Sequence, residues 1–207
     1  MRSLAKKVFF KDYAFYVWDS VYEPAEDSFL FVENLKVKEG ERVLDMGTGC
    51  GILGIVAAEK ASKVLAIDIN PYAVHCAKEN AKLNHVADKM FFVQGDLFTP
   101  IKPNKKFDLI MFNAPYLPCE PEEKDEWLGL AWYGGLDGRT VIDRFTCEVS
   151  KHLKSNGRVL LMQSTLADFD KTFEAFSKNG FKVKIIAELS LPLFETIMLI
   201  QANLRQA

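Results

Sequence analysis

Short apolar stretches alternate with helical patterns along most of the chain. The apolar stretches are rich in Val, Ile, Leu, Phe and Met, and they predict strands over Arg42–Asp45, Lys63–Ile69, Met90–Gln94, Phe107–Asn113 and Arg158–Ser164. Nearly continuous apolar sequence is typical of strands that are covered on both faces. The helical patterns between these strands indicate crossover connections, and therefore a parallel sheet.

The last part of the chain has a different pattern. Phe181–Leu191 and Glu195–Ala202 are strand-like, and only Pro192-Leu193-Phe194 separates them. Because three residues are too few for a crossover helix, these two strands must pair antiparallel. The predicted fold class is α/β: a Rossmann-like, seven-stranded, mostly parallel sheet with a C-terminal antiparallel hairpin and helices on both faces. A dinucleotide-binding fold would instead keep its last strands parallel.

Composition and charge exclude several classes of protein. The chain has 207 residues, of which 49% are hydrophobic and 26% charged, so we expect one globular domain over residues 1–207, with residues 1–18 as an aromatic extension packed on it. No apolar stretch approaches the roughly 20 residues that cross a bilayer, and no secretion signal is present, which predicts a cytoplasmic protein. The 26 basic residues against 28 acidic ones argue against a protein that binds nucleic acid through phosphates. The four cysteines and three histidines show no metal-site spacing, so no metal site is predicted.

A glycine-rich segment follows the first strand of the predicted sheet. In Asp45-Met46-Gly47-Thr48-Gly49-Cys50-Gly51 the glycines let the backbone turn sharply and let a ligand approach closely. The next two strands end at Asp68-Ile69 and Asp96-Leu97. We expect Asp68 to bind ribose hydroxyls and Asp96 an adenine amino group, with Ile69 and Leu97 flanking the ring. The candidate residues for an adenosine-containing ligand are Asp45, Gly47, Thr48, Gly49, Gly51, Asp68, Ile69, Asp96 and Leu97.

One alternative ligand needs weighing, because Gly49–Gly54 also fits the GxGxxG pattern of NAD-binding loops. Three observations favour S-adenosylmethionine instead. Gly47 already makes the turn after the strand, Asp45 would repel a pyrophosphate, and the antiparallel hairpin is foreign to the NAD fold. We therefore predict S-adenosylmethionine as the cofactor.

The fourth strand of the sheet runs into Asn113-Ala114-Pro115-Tyr116. This segment resembles the Asn-Pro-Pro-Tyr motif of methyltransferases that modify planar amino groups. Two acceptors, the Asn113 side-chain oxygen and a backbone carbonyl, would bind both N–H groups of such an NH2, and Tyr116 would pack on its plane. Positioning and electrostatic stabilisation, rather than a dedicated base, would then supply the rate. Ala114 stands where the family has proline, but it keeps the carbonyl, and Pro115 biases it toward extended backbone.

Two further blocks extend the resemblance. Residues 19–28 (DSVYEPAEDS) and 130–139 (LAWYGGLDGR) are similar to blocks of the HemK-type release-factor glutamine methyltransferases, above all their short archaeal and eukaryotic branch. The resemblance covers nearly the whole chain from Asp19 onward. It implies methyl transfer to the glutamine amide of a Gly-Gly-Gln loop in a class 1 peptide chain release factor. It also implies that Asn113, Tyr22, Glu26 and Ser28 help to enclose the cofactor, and that the Gly-Gly-Leu-Asp-Gly block borders the substrate channel.

The resemblance also bears on partners. Long bacterial members carry an N-terminal helical domain, whereas only residues 1–18 precede the first block here, so we expect recognition by the catalytic domain itself or by another subunit. Short-branch relatives use a small zinc-binding activator, and we expect it to pair with the apolar strand Met90–Val93 at the sheet edge. The acidic segment Cys119–Glu126 would attract a basic protein segment and repel a phosphodiester backbone, while Lys102, Lys105 and Lys106 are expected at the opposite edge.

Three alternatives stay open on the sequence. A nucleic-acid adenine N6-methyltransferase would bind DNA or RNA with a steep salt dependence. A protein lysine methyltransferase would require Asn113 to face an amine rather than an amide. A cofactor-binding scaffold without enzymatic activity would keep its function in an Asn113→Ala variant.

Overall fold

The computed structural model describes residues 5–119 and 127–205. Within these residues the strands are β1 (Lys6–Phe10), β2 (Tyr13–Val17), β3 (Arg42–Met46), β4 (Lys63–Asp68), β5 (Met90–Gln94), β6 (Phe107–Asn113), β7 (Leu153–Ser164), β8 (Phe181–Ser190) and β9 (Thr196–Leu204). The α-helices are α1 (Glu26–Asn34), α2 (Ile52–Ala58), α3 (Pro71–Leu83), α4 (Thr140–Glu148) and α5 (Phe169–Lys178).

Seven of the strands form one sheet in the order β5-β4-β3-β6-β7-β9-β8. The first five strands in this order are parallel, and β9 runs antiparallel to both β7 and β8. The predicted mostly parallel sheet with a C-terminal antiparallel hairpin is therefore confirmed. Its five parallel strands bring their carboxyl ends, and the loops that follow them, to one edge.

Helices cover both faces of this sheet. Successive residues of β3 show the alternation, because Val43 packs in a core cluster with α1, α2 and α3, while Leu44 packs in a second cluster with α4 and α5. Both side chains are fully buried, as the continuous apolar sequence predicts for a central parallel strand. Among the described residues, no helix is long and apolar enough to span a bilayer.

Residues 6–17 form a feature that the sequence did not reveal as strands, a two-stranded antiparallel hairpin. Its turn contains Lys11 at a φ of 50° and no glycine, so the usual turn signal is missing. Phe15 is buried beneath the hairpin, whereas Phe9 is exposed. The hairpin packs on α3. The aromatic extension therefore supplies both a buried side chain, Phe15, and an exposed one, Phe9.

Asn80 of α3 fastens this hairpin to the rest of the molecule. Its Oδ1 accepts a hydrogen bond from the Tyr16 backbone N–H at 2.9 Å, and its Nδ2 donates to the Tyr16 carbonyl at 2.9 Å. The same Nδ2 donates to the carbonyl of Cys50, in the glycine-rich segment, at 2.8 Å. One buried amide therefore connects the N-terminal hairpin, α3 and the loop after β3.

The Asn80→Ala variant should lower the free energy of unfolding by about 2–3 kcal/mol, because the buried carbonyl of Cys50 and two partly buried backbone groups of Tyr16 lose their partner. Chemical denaturation of the variant and the parent protein measures this difference. Asn104→Ala, at an exposed loop position, is the matched control and should change the free energy by less than about 0.5 kcal/mol. Equal stability of the two variants would contradict the anchoring role of Asn80.

Candidate active site

The loop between β3 and α2 is shaped by glycines in the left-handed region. Gly47, at a φ of 64°, lies so close to β6 that an added Cβ would be 3.0 Å from the ring of Phe112. Gly49, at 55°, has open space where a Cβ would be, and its N–H donates to Asp68 Oδ2 at 2.9 Å. The loop therefore leaves room for a ligand at Gly49 and is held against the end of β4.

Asp45 supports this loop from below. Its Oδ2 accepts hydrogen bonds from Thr48 Oγ1 at 2.6 Å and from the Gly54 N–H at 3.1 Å. Complete burial raises the pKa of this carboxyl group to about 7, although both hydrogen bonds favour the charged form. Asp45 is fully buried and does not line the cavity described below. Its place in the structure is that of a support for the ligand-binding loop.

Asp68 lies at the end of β4 on the wall of the cavity. Its Oδ1 accepts a hydrogen bond from the Asn70 backbone N–H at 2.9 Å, in addition to the bond from Gly49. Burial raises the pKa of this carboxyl group, against the effect of the backbone donors. The carboxylate is thus held in place by two loops at the point where the sequence predicts ribose binding.

Asp96 follows β5 and also lines the cavity, together with Ile69 and Leu97. The structure adds a partner that the sequence did not predict, because Arg144 of α4 forms an ion pair with Asp96 at 2.6 Å. Both side chains of this pair are about half exposed. The ends of β3, β4 and β5 thus place the predicted adenosine-binding residues side by side.

The most connected group in the site is the carboxylate of Asp27 at the start of α1. Its Oδ2 accepts hydrogen bonds from Asn113 Nδ2 at 3.0 Å and from the Tyr116 hydroxyl at 3.4 Å. Its Oδ1 accepts from the Tyr22 hydroxyl at 3.0 Å and from both the backbone and the hydroxyl of Ser28. Asp27 therefore joins the first block of the resemblance to the segment after β6.

This contact decides which atom Asn113 can offer to a substrate. Nδ2 is bound to Asp27 and lies 3.4 Å from the Ser28 hydroxyl. The atom that Asn113 can offer to a substrate is therefore its oxygen, Oδ1. Asn113 Oδ1 is buried and has no hydrogen-bond partner among the described residues, and Asn113 lines the cavity. A buried unpaired acceptor is costly unless a ligand supplies a donor.

The two tyrosines of this cluster remain neutral donors. Burial first, and then the charge of Asp27, raise the pKa of both the Tyr22 and the Tyr116 hydroxyl well above the usual value. At physiological pH neither phenol loses its proton. Tyr116 can therefore pack against a substrate and donate to Asp27, but it cannot act as a general base.

The Gly-Gly-Leu-Asp-Gly block packs directly on the segment after Asn113. The Gly134 N–H donates to the Leu117 carbonyl at 2.9 Å, and the Leu117 N–H donates to the Trp132 carbonyl at 3.1 Å. A Cβ on Gly138 would lie 2.4 Å from the Tyr116 carbonyl oxygen, so only glycine permits this approach. The block fixes the backbone course of Tyr116 and Leu117.

Arg139 anchors the same block to the body of the protein. Its guanidinium is almost completely buried and donates to Asp168 O at 2.7 Å and to Thr172 Oγ1 at 3.0 Å. It also forms an ion pair with Asp143 at 2.6 Å. Arg139 is thus part of the support of the site and does not line the cavity.

These residues surround a cavity of about 400 Å³ at the carboxyl edge of the sheet, which is within the usual size of a small-molecule site. Thirteen of the sixteen predicted site residues line it: Tyr22, Ser28, Gly47, Thr48, Gly49, Asp68, Ile69, Asp96, Leu97, Asn113, Ala114, Pro115 and Tyr116. Other residues on its wall were given no individual role from the sequence: Asp27, Leu130, Trp132 and Tyr133, which lie in the two blocks of the resemblance, and Trp127, Thr140, Val141 and Arg144, which lie outside them.

Three predicted residues are not on this wall. Asp45 lies beneath the loop, as described above. A Cβ on Gly51 would meet Ala77 of α3 at 3.1 Å, so Gly51 allows close packing of α3. Glu26 is exposed at the first position of α1, and its neighbour Asp27 makes the contacts instead. Their assignment to cofactor binding stays a prediction.

Two predicted charged segments are placed as follows. Residues 120–126, which hold most of the predicted acidic segment, lie outside the described part of the chain. Lys106 donates to the carbonyl of Lys151, just before β7 begins, and is therefore at the amino edge of the sheet, opposite the cavity. Among residues 5–119 and 127–205, no group of three His, Cys, Asp or Glu side chains is arranged to hold a metal ion.

The sheet order, the antiparallel last pair and a cavity across the ends of β3, β4, β5 and β6 define a class I methyltransferase that uses S-adenosylmethionine. The residues fit this cofactor, since Gly49 leaves open space and Asp68 is a positioned acceptor. The sequence model of the family described as Ribosomal protein L11 methyltransferase (PrmA) matches residues 27–114.

Known proteins narrow the class further. A Methanocaldococcus jannaschii protein assigned as a protein N5-glutamine methyltransferase is 47% identical over 184 residues, which cover 88% of this chain and 91% of that protein. Human methyltransferase HEMK2 is 33% identical over 70% of this chain and 72% of its own length. The release factor glutamine methyltransferase of Aquifex aeolicus is 37% identical over 70% of this chain, but the match spans only 53% of that relative. The chain belongs to the HemK-type protein glutamine methyltransferases.

Solved structures agree with the fold. The E. cuniculi Mtq2–Trm112 complex, described as responsible for methylation of the termination factor eRF1, matches with a TM-score of 0.71 at 23% identity, over 89% of this chain and 99% of that one. The M. jannaschii tRNA m1G37 methyltransferase matches with a TM-score of 0.72 at 20% identity, over all of this chain and 59% of that one. Because a protein methyltransferase and an RNA methyltransferase fit equally well, the fold alone does not select the substrate.

Asp27→Asn should lower the turnover of methyl transfer by about 100-fold. The asparagine at position 27 would carry an NH2 group where Asp27 has only acceptors, next to donors of Ser28 and Asn113. Asn113 would then turn its oxygen toward residue 27 and present its NH2 group, in place of the oxygen, to the cavity. Steady-state kinetics with saturating cofactor measures the loss. Glu33→Gln, at an exposed position of the same helix, is the control and should keep its turnover. Similar turnover of the two variants would show that Asp27 does not set the orientation of Asn113.

Proposed function

We propose that this protein transfers a methyl group from S-adenosylmethionine to the side-chain amide nitrogen of a glutamine in a class 1 peptide chain release factor, and that it does so in the cytoplasm. The observation that carries the proposal is the orientation of Asn113, whose NH2 is bound by Asp27 while its oxygen, at the cavity wall, has no partner in the described part of the chain. Several relatives are named for glutamine methylation, including the release factor enzyme of Aquifex aeolicus.

An amide nitrogen is a poor nucleophile, because its lone pair is delocalised into the carbonyl group. When bound, S-adenosylmethionine supplies an electrophilic methyl group on a positively charged sulfur. The protein must therefore present the amide NH2 in one orientation beside that methyl group. Asn113 Oδ1 accepts one N–H of the substrate and the Ala114 carbonyl accepts the other, which directs the nitrogen and increases its electron density.

The neighbouring groups favour an uncharged, planar substrate. Tyr116 stays protonated, so its ring packs on the amide plane without adding a charge. The bond from the methyl carbon to nitrogen would form as its bond to sulfur breaks, S-adenosylhomocysteine would leave, and the displaced N–H proton would pass to water. The rate then depends on orientation and on the acceptors rather than on a dedicated base. A lysine side chain has no planar group against which Tyr116 could pack. Its ammonium form also has no lone pair with which to attack the methyl carbon, so this arrangement favours an amide over an amine.

The adenosine end would be held by the residues at the ends of β4 and β5. Asp68 is fixed by two backbone N–H groups and accepts the ribose hydroxyls. Asp96 accepts from the adenine amino group with the oxygen that is not paired with Arg144. Ile69 and Leu97 flank the base.

The Asn113→Ala variant should lose at least about 100-fold in turnover, while its cofactor dissociation constant changes by less than about twofold. Labelled S-adenosylmethionine is incubated separately with a release factor and with duplex DNA, and the methyl group is mapped by mass spectrometry. Asn104→Ala, at an exposed position that does not line the cavity, serves as the control. Methyl label found only in nucleic acid would refute the release factor as the substrate. A large loss of cofactor affinity in Asn113→Ala would refute the role of Asn113 in orienting the substrate amide.

We also propose a small zinc-binding activator subunit that adds a strand to β5. In support, β5 is the edge of the sheet and pairs only with β4 among the described strands. Phe91 on this edge is 49% exposed, with Lys63 Nζ over its ring at 5.5 Å. The structurally similar Mtq2 was solved together with Trm112.

Phe91→Asp should abolish co-purification with such an activator, because a charge would be desolvated in the apolar contact. Ile185→Asp is the matched control, since Ile185 is an exposed apolar residue on β8, at the opposite sheet edge. Size-exclusion chromatography of the co-expressed pair measures the complex. Retained binding by Phe91→Asp, or full activity of the isolated chain at low concentration, would contradict a subunit at β5.

A further inference from the structure

The turn between β8 and β9 carries an unusual pair of residues. Leu193 and Phe194 are 93% and 104% exposed, the most exposed of the large apolar side chains described. Both also have a φ of 63°, in the left-handed region. We call these two residues the apolar tip.

Neither the fold nor hydration favours these residue types at these positions. A left-handed backbone is readily adopted by Gly or Asn and disfavours residues with bulky side chains. Full exposure of two neighbouring large apolar side chains also forgoes the gain from burial. The apolar tip therefore lowers the stability of the isolated protein in two ways, through its backbone conformation and through its exposure. A contact with another molecule would offset both effects.

Two hydrogen bonds hold the base of the turn that carries the apolar tip. The Leu191 N–H donates to the Glu195 carbonyl at 2.8 Å and closes the turn. The Thr196 N–H donates to Thr165 Oγ1, in the segment after β7, at 3.1 Å. The turn is thus tied at its base to the segment that follows β7.

The apolar tip stands at the same sheet edge as the cavity. Ile197 pairs with Ser164 at the carboxyl end of β7, and Met162 of β7 pairs with Asn113 at the end of β6. Two strand spacings separate β9 from β6, which places the base of the turn about 10 Å from the row of Asn113. Glu195, the next residue after the tip, is near enough to Tyr116 for its charge to raise the pKa of that hydroxyl.

We propose that the apolar tip docks on the folded body of the protein substrate whose glutamine enters the cavity. This inference rests on the proposed function. A glutamine side chain that reaches Asn113 brings its backbone to the mouth of the cavity, and the surface of its protein must then extend over the rim. A free amide is too small to cover the roughly 10 Å between the row of Asn113 and the base of the turn, whereas the protein surface around the glutamine is large enough. Leu166, which is 47% exposed in the Thr165–Ala167 segment, extends the apolar contact toward the cavity.

The test uses the double variant Leu193→Asn, Phe194→Asn. Asn tolerates the left-handed backbone, so the variant removes apolar surface without straining the turn, and its thermal stability should equal or exceed that of the parent. The Michaelis constant for the intact release factor should rise by about tenfold or more, with turnover at saturation and the cofactor dissociation constant unchanged. Phe9→Thr, which removes an exposed aromatic side chain from the β1–β2 hairpin, is the control and should leave all three values unchanged.

The outcomes separate this inference from the proposed function. If the parent protein methylates the release factor and the double variant has the same Michaelis constant, the docking role is refuted and the proposed function stands. If sedimentation shows that the parent is a dimer and the double variant a monomer with an unchanged Michaelis constant, the tip binds a second copy of this chain and the docking role is likewise refuted. If the parent transfers no methyl group to any release factor, the proposed function and the docking role are refuted together.

Discussion

The hydrogen bond from Asn113 Nδ2 to Asp27 Oδ2 is the contact on which the site depends. It joins two residues that are 86 positions apart, one at the start of α1 and one at the end of β6. An asparagine amide can present either its oxygen or its NH2 group to a cavity, and the two arrangements have nearly the same shape. Because Asp27 accepts the NH2 group, the oxygen is left for a donor on the substrate.

The rest of the fold serves to hold this pair. Asp27 is buried and accepts from five donors, so the carboxylate has little freedom to move. On the other side, the glycines of the 134–138 block allow the backbone after Asn113 to be packed closely, with Arg139 as its anchor. Asp45 and Asp68 do the same for the loop at Gly49. The site is therefore preorganised by buried polar groups on both sides of the cavity, and the packed sheet fixes their separation.

Features of the structure that are encoded by neighbouring residues could be predicted from the sequence. Continuous apolar stretches such as Phe107–Asn113 identify central strands, and the three-residue connection at Pro192–Phe194 requires an antiparallel pair. The strand-end acids and the Asn113–Tyr116 segment could be assigned to one edge because parallel strands share that edge. The β1–β2 hairpin could not be predicted, since its turn at Lys11 has no glycine.

Contacts between residues that are distant in the sequence could not be predicted either. The sequence offers Glu26 and Asp27 as neighbours, and only the rotation of α1 against the sheet determines which of them is buried. The pairing of Asp96 with Arg144 depends on where α4 crosses the end of β5. Asp45 is adjacent to the glycine loop in sequence, yet its side chain supports the loop from below, because alternate residues of a strand point to opposite faces.

A crystal structure with S-adenosylhomocysteine and a Gly-Gly-Gln peptide tests the central claim most directly. The account predicts that Asn113 Oδ1 lies about 2.8–3.2 Å from the glutamine amide nitrogen, with Asn113 Nδ2 still bound to Asp27. An amide nitrogen held by other groups, with the Asn113 side chain turned away from it, would contradict the account.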